Sequence, residues 1–227
     1  MTTTEMPLPV EITEFTLNDD ISGCVDVTDK FEKSSTKKWI KLIKQNESIS
    51  FAEYNHKDYF IKIADVLVDD EVHVNGKKQG LKKRNTLIKF VPTISKDAFE
   101  KKTEWIYILL INDRIVKIGG TRTGIKERTT SYLCGHHIKE RGKSGDCSKT
   151  NGFIYNTLEF YLTLGCKVEM YGYELPRTVI MINVFGNVRE IITQTYHAYE
   201  STIMEYYKKT YSRYPPLCDN CDPEYKD

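Results

Sequence analysis

The chain has 227 residues, 40% of them hydrophobic and 29% charged, with a mean hydropathy of −0.48 and a formal net charge of +1. This balance is that of an ordinary soluble globular protein and excludes a disordered or collagen-like chain. No apolar run reaches the roughly 20 residues that span a bilayer, and residues 1–7 lack a basic-then-apolar secretory pattern, so an intracellular (cytoplasmic) location without membrane contact is expected.

Six cysteines (24, 134, 147, 166, 218 and 221) are expected to be reduced thiols, because the chain has enough apolar residues to fold without a disulfide framework. The small net charge conceals segregation. Residues 1–23 carry five acids and no Lys or Arg, whereas residues 75–94 carry six bases and no acid. Residues 113–149 hold nine bases against four acids. Clustered bases suit a surface that faces a polyanion, since neutralised phosphates release counterions; solvated faces can look the same.

In chain order, Thr36 can cap a short helix over 37–45, with Trp39, Ile40, Leu42 and Ile43 as its buried face. Residues 59–68 read as a strand. Residues 71–74, the Asn75-Gly76 turn signal and residues 87–91 read as a second β region, with the basic loop 77–84 projecting from it. The chain is expected to divide near residue 95, giving a smaller N-terminal α+β domain (1–95) and a second domain (96–227).

The nearly continuous apolar run 105–111 (WIYILLI), an Asn112-Asp113 turn and the run 115–119 (IVKIG) read as a hairpin. A loop 120–124 leads into a helix over 125–134, followed by a basic, glycine-containing loop over 136–152. A helix over 153–164 stops at Gly165, the residue type that best tolerates a left-handed helix end. Strands are expected at 166–175 and 179–185, and a last helix at 195–209 before Pro215-Pro216.

A strand containing Ile106-Tyr107, a tight turn, and a strand ending in Lys117-Ile118-Gly119 resemble the paired motifs of the GIY-YIG nucleases. The resemblance covers residues 104–220, about half of the chain. Trp105 stands at the family's first glycine and Lys117 at its second tyrosine; lysine there is similar to a subgroup of type II restriction endonucleases. In that subgroup the next helix carries an arginine and, one turn later, a tyrosine. Arg128 and Tyr132, four apart on one helix face, match that pattern. The resemblance implies an α+β fold with a small, mainly antiparallel central sheet flanked by helices, and Glu200 on a later helix as metal ligand. Asn220 is an approximate match to an asparagine that family members often keep after that helix.

What the resemblance implies is chemically coherent. Phosphodiester hydrolysis needs an activated water, neutralised phosphate charge and a stabilised leaving alkoxide. One Mg2+ (or Mn2+) held by Glu200 suits the phosphate and the leaving group. Arg128, with Tyr132, offers donors to the non-bridging oxygens. Tyr107 or Lys117 takes the water's proton, which requires one of their pKa values to be lowered, Lys117 priming Tyr107. Singly, Tyr107 could be core, Lys117 solvated, Arg128 a surface residue and Glu200 one carboxylate among many; it is their joint spacing that argues otherwise.

The implied function is site-specific double-stranded DNA cleavage by a homodimer, without a small-molecule cofactor. Lys82, Arg84, Arg122, Arg141, Lys143, Lys149 and Asn151 are candidates for DNA contact, and the N-terminal domain (1–95) is expected to contact DNA or to dimerise. The alternatives are a homing- or repair-type GIY-YIG nuclease, or a GIY-YIG-like DNA-binding protein that has lost catalysis. Cys218 and Cys221 have the spacing of half a zinc site, but a second such pair is missing, so structural Zn2+ is not favoured. His136-His137 lacks the later pattern of an HNH nuclease, and Asp69-Asp70-Glu71 reads as a solvated turn.

Overall fold

The computed structural model describes residues 43, 47–69, 88–134 and 148–218. The expected helix at 37–45 (residue 43 apart), strand 71–74, loop 77–84 and most of loop 136–152 lie outside them, as do Asn220 and Cys221. Among the described residues β1 (Ile61–Val68), β2 (Ile88–Pro92), β3 (Trp105–Ile111), β4 (Arg114–Thr121) and β5 (Val168–Glu174) form one sheet in the order β2-β1-β5-β3-β4, every pairing antiparallel. Helix α1 (Lys96–Glu100) joins β2 to β3, and α2 (Ile125–Leu133) and α3 (Lys149–Thr163) follow β4. A hairpin of β6 (Thr178–Val184) and β7 (Asn187–Thr193) separates β5 from α4 (Tyr196–Tyr211). The fold is α+β, with a mainly antiparallel central sheet flanked by helices.

The unbroken apolar run of β3 has a simple cause. β3 lies inside the sheet with both faces covered, so all seven residues are buried. Tyr107, Leu109 and Ile111 join the core with Ile125 and Tyr132 of α2 and Ile154, Tyr155 and Leu158 of α3. Ile106, Ile108 and Leu110 point the other way, onto Met204 and Tyr207 of α4. Alternation puts successive side chains on opposite faces. The Asn112-Asp113 turn has positive φ at both residues (46° and 63°), the two-residue form whose twist matches the strands it joins.

The sheet crosses the boundary expected near residue 95. Ala64 to Val68 of β1 pair with β2, while Ile61 to Val66 pair with β5, so strands on either side of residue 95 share one sheet and one core. Two local expectations are corrected. Helix α3 starts four residues early, at Lys149, because the Ser148 hydroxyl accepts the Asn151 amide (3.1 Å) and caps it. Its stop holds, with Gly165 at φ 81°. The expected strand at 179–185 is half of a hairpin whose return strand β7 was not anticipated.

Candidate active site

Between Leu109 and Leu110 the β3–β4 register slips. Leu109 faces Lys117, yet Leu110 faces Ile115, which leaves Val116 as the extra residue of a β-bulge. A one-residue slip moves every later side chain to the opposite face. The bulge therefore turns Lys117 and Gly119 onto the face of Tyr107, and Ile118 and Gly120 onto the face of α4.

Gly119 lies directly opposite Tyr107, and a Cβ there would collide with the Tyr107 hydroxyl and ring. Tyr107 thus lies across the strand, with its oxygen at the start of a closed network. The Tyr107 and Tyr132 hydroxyls are 2.5 Å apart, and Arg128 donates from Nε to Tyr107 Oη (2.7 Å) and from Nη2 to Tyr132 Oη (3.0 Å). The guanidinium also lies 4.4 Å from the Tyr132 ring centre, within cation–π range. Both phenol oxygens accept from Arg128, and one phenol proton bridges the pair. The other phenol proton is left for a third party. Gly124, at φ 99° and with no room for a Cβ against the Lys101 carbonyl, starts α2 and so sets where Arg128 projects.

Gly120 serves the other face. A Cβ on it would lie 2.9 Å from Glu200 Oε2 and 2.7 Å from Tyr196 Cδ2. Glu200 reaches this place because Glu104, just ahead of β3, caps α4: its carboxylate accepts from Thr195 N (3.0 Å), Thr195 Oγ1 (3.1 Å) and Tyr196 N (3.4 Å). A carboxylate at a helix N-terminus satisfies otherwise orphaned amides and complements the helix dipole. Tyr196 and Glu200, four residues apart, then lie on the face that meets β4.

Lys117 is buried between these groups. Its ammonium donates to the Leu217 carbonyl (3.3 Å) and lies 3.9 Å from Cys218 Sγ, rather than bonding to Tyr107. The tail beyond α4 runs along the outer side of β4, with Leu217 N bonded to Val116 O (2.8 Å). The Cys218 thiol donates to Ile118 O (3.2 Å) and accepts from Ile118 N (3.4 Å), so it satisfies the strand edge.

The protonation states differ from the expectation that Tyr107 or Lys117 is lowered. Burial pushes the Tyr107 phenol well above its usual range; Tyr132 adds to this and Arg128 opposes it. For Lys117, burial pulls down but is outweighed by Cys218, Tyr132 and Glu200, so the ammonium is held above its ordinary value. Burial works against the Arg128 charge as well, and the two tyrosines more than offset it. Within the chain alone, the site holds two cations beside a neutral Tyr107 phenol.

The structure thus places Tyr107, Lys117, Arg128, Tyr132 and Glu200 around the end of edge strand β4, with Gly119, already part of the motif, and with Gly120 and Glu104, which sequence reasoning missed, as supporting residues. Of the residues expected to contact DNA, Arg122 is exposed beside the site, and Asn151 lies in the first turn of α3, its side chain 3.5 Å from Ser131 Oγ. Lys149 opens α3. Lys82, Arg84, Arg141 and Lys143 lie outside the described residues. A cleft of about 860 Å³ adjoins Arg122 and is also lined by Lys102, Arg177 and the base of the β6–β7 hairpin. Its carboxylates are engaged, Glu104 at α4 and Glu174 with Lys101 (2.7 Å), which leaves Lys102, Arg122 and Arg177 without an ion pair among the described residues. No group of three or more His, Cys, Asp or Glu that could hold a metal occurs among the described residues.

Neither a family model nor a curated protein sequence matches the chain. Among solved structures it is similar to the restriction endonuclease HPY188I in complex with product DNA, at 21% identity, 82% of this chain, 91% of that chain and a TM-score of 0.46. It is also similar to a mutant of bacteriophage T4 EndoII, at 22% identity, 71% of this chain, 93% of that chain and a TM-score of 0.41.

Proposed function

We propose that the chain is a divalent-metal-dependent DNA endonuclease of the GIY-YIG type, cutting double-stranded DNA at specific sites as a two-fold homodimer. The observation that carries this reading is the convergence of Tyr107, Arg128, Tyr132, Lys117 and Glu200 on the Gly119-Gly120 step, where the strand itself leaves room for both side-chain sets.

The residues fit one hard cation. Glu200 is a partly exposed carboxylate, and Mg2+ commonly takes one or two carboxylates while keeping several waters, so a larger protein cluster is not needed. When bound there by Glu200, Mg2+ or Mn2+ supplies positive charge to a phosphate oxygen and to the leaving oxygen, and favours deprotonation of nearby groups.

The chain's own groups divide the remaining work. Arg128, already spread across two phenols, neutralises charge developing on the non-bridging oxygens. Tyr132 orients both Tyr107 and Arg128. Tyr107 accepts the water's proton as a phenolate, formed once its own proton has left to solvent; burial opposes that loss, while Arg128 and the buried Lys117 ammonium on its face of the sheet favour it. Lys117 acts as this fixed charge and not as a base, since its proton is held. Lys102, Arg122 and Arg177 give the flanking backbone a positively charged path.

The test is incubation of purified protein with long unmethylated duplex DNA, with Mg2+ and with EDTA, beside Glu200→Gln and Lys117→Met. Discrete fragments that need both the metal and Glu200 are the expected result. Full turnover in Lys117→Met overturns the role of the lysine. Intact DNA under every metal, with tight binding retained, replaces the nuclease by a DNA-binding protein without catalysis.

A further inference from the structure

The β6–β7 hairpin is apolar on both faces. Val179, Met181, Val188 and Ile192 lie on one face, and Ile180, Ile182, Val184 and Ile191 on the other, with Phe185 at the turn. Phe185 is 100% exposed, Met181 and Val188 are each 64% exposed, and Ile192 is 59% exposed. Among the described residues β6 and β7 pair only with each other, which leaves two open strand edges. An isolated two-stranded hairpin is marginal in water, and exposed, apolar edge strands invite pairing with another chain. The turn itself is well made: Phe185 and Gly186 have positive φ (50° and 83°), and Asn183 Oδ1 accepts the Gly186 amide (2.8 Å). Among the described residues, the hairpin is thus a shaped arm without a covering partner.

We infer that this arm is the dimer interface, each β6–β7 hairpin packing against the same hairpin of a second copy of the chain. Its charge favours this occupant. Between residues 178 and 193 the charged side chains are Arg189 and Glu190, of opposite sign. Such a surface offers a phosphate backbone little, whereas a neutral, apolar surface is what a self-complementary two-fold contact requires. The area agrees as well. On one face Val179, Met181, Val188 and Ile192, with Phe185 at the turn, expose roughly 600 Å², most of the ~800 Å² that each partner brings to a standard-sized interface. The arm leads directly into α4, so an interface here holds the helix that carries Glu200.

This inference rests on the homodimer proposed above and not on cleavage, and the experiment separates the two. Sedimentation equilibrium of the full chain without DNA is compared for wild type, Met181→Asp, Val188→Asp and Glu200→Gln. The expected result is a dimer for wild type and Glu200→Gln, with dissociation constants raised at least about thirtyfold in the two hairpin variants. In wild type, hydrogen exchange of amides 178–193 is expected to slow as protein concentration rises; this measurement stands if a hairpin variant fails to fold. A wild type that stays monomeric at 100-fold dilution steps up to the highest soluble concentration overturns the inference. So does a dimer indifferent to both substitutions, or hairpin variants that remain dimeric but lose binding to DNA or to lipid vesicles. Loss of cleavage in every preparation with the hairpin-dependent dimer intact removes the nuclease reading and leaves this one standing.

Discussion

Gly120→Ala tests the geometry of the site with a single methyl group. The added Cβ lies 2.9 Å from Glu200 Oε2 and 2.7 Å from Tyr196 Cδ2, whereas ordinary contacts begin at 3.4 Å. Both α4 side chains must therefore retreat by about 0.5–1 Å, and a displacement of that size at a reacting centre costs on the order of 100-fold in rate. The effect on folding is smaller. Overpacking costs about 1–3 kcal/mol, and the reduced freedom of the unfolded chain returns about 0.4–1 kcal/mol. Met204 and Tyr207, buried farther along α4, hold the helix against wholesale movement, so the carboxylate takes the displacement. Gly165→Ala is the matched control. Its φ of 81° makes alanine strained by about 1–2 kcal/mol, yet nothing lies within 4 Å of the new methyl. Single-turnover cleavage of supercoiled DNA in Mg2+, alongside urea unfolding, compares the two. Gly120→Ala is expected to lose about 100-fold in cleavage at a stability cost near that of Gly165→Ala, which keeps its activity. Wild-type cleavage by Gly120→Ala, or an equal loss in Gly165→Ala, refutes the placement of Glu200 against the strand.

Tyr132→Phe retains the ring beside Phe90 but removes an acceptor of Arg128 and the partner of the Tyr107 hydroxyl. Urea unfolding should show a loss of about 1–3 kcal/mol, and because Tyr132 raises Tyr107, the rising limb of the cleavage profile, set by the Tyr107 phenolate, should move to lower pH. Glu104→Gln weakens the cap on α4 and should cost about 1 kcal/mol, with faster hydrogen exchange in the first turn of α4 and slower cleavage, since Glu200 lies one turn in. Stability should fall as pH rises above about 10. Tyr107 and Lys117 are both raised in the folded protein, so there the unfolded chain releases protons that the folded one keeps, and the folded state loses ground. Urea midpoints at pH 8, 9.5 and 11 check this; equal midpoints at 9.5 and 11 would contradict the burial of these groups.

The residues of the candidate site could be singled out in the sequence because each is a distinct chemical type at a spacing set by one strand or one helix. Arg128 and Tyr132 are one turn apart, and the apolar run 105–111 announces a fully covered strand. What stayed hidden depends on contacts between distant parts of the chain. The Glu104 cap joins residues 91 apart in sequence. The pairing of β1 with β5 brings residues near 61 against residues near 172, which a split at 95 could not anticipate. The missed strand β7 follows from a Phe-Gly turn without the usual Asn-Gly signal, and from apolar residues whose two faces are both exposed, so that alternation carries no inside and outside to read.

The β4 bulge has the largest consequence of these. Counting outward from the Asn112-Asp113 turn without a bulge pairs Leu109 with Val116 and Tyr107 with Ile118, which turns Lys117 toward α4 and away from Tyr107. The extra residue at Val116 reverses this: Lys117 and Gly119 share the face of Tyr107, and Gly120 opens toward Glu200. A register slip leaves no mark on composition, because Val116 is apolar and buried like its neighbours. Two adjacent glycines are the one trace it leaves, since a bulged edge strand that must admit a tyrosine on one face and a carboxylate on the other can carry no Cβ at either position. Deleting Val116 should therefore leave Lys117 opposite Leu109 and Gly119 opposite Tyr107 in plain register, so cleavage survives at the cost of one buried valine; a folded deletion variant that has lost cleavage refutes this account of the bulge.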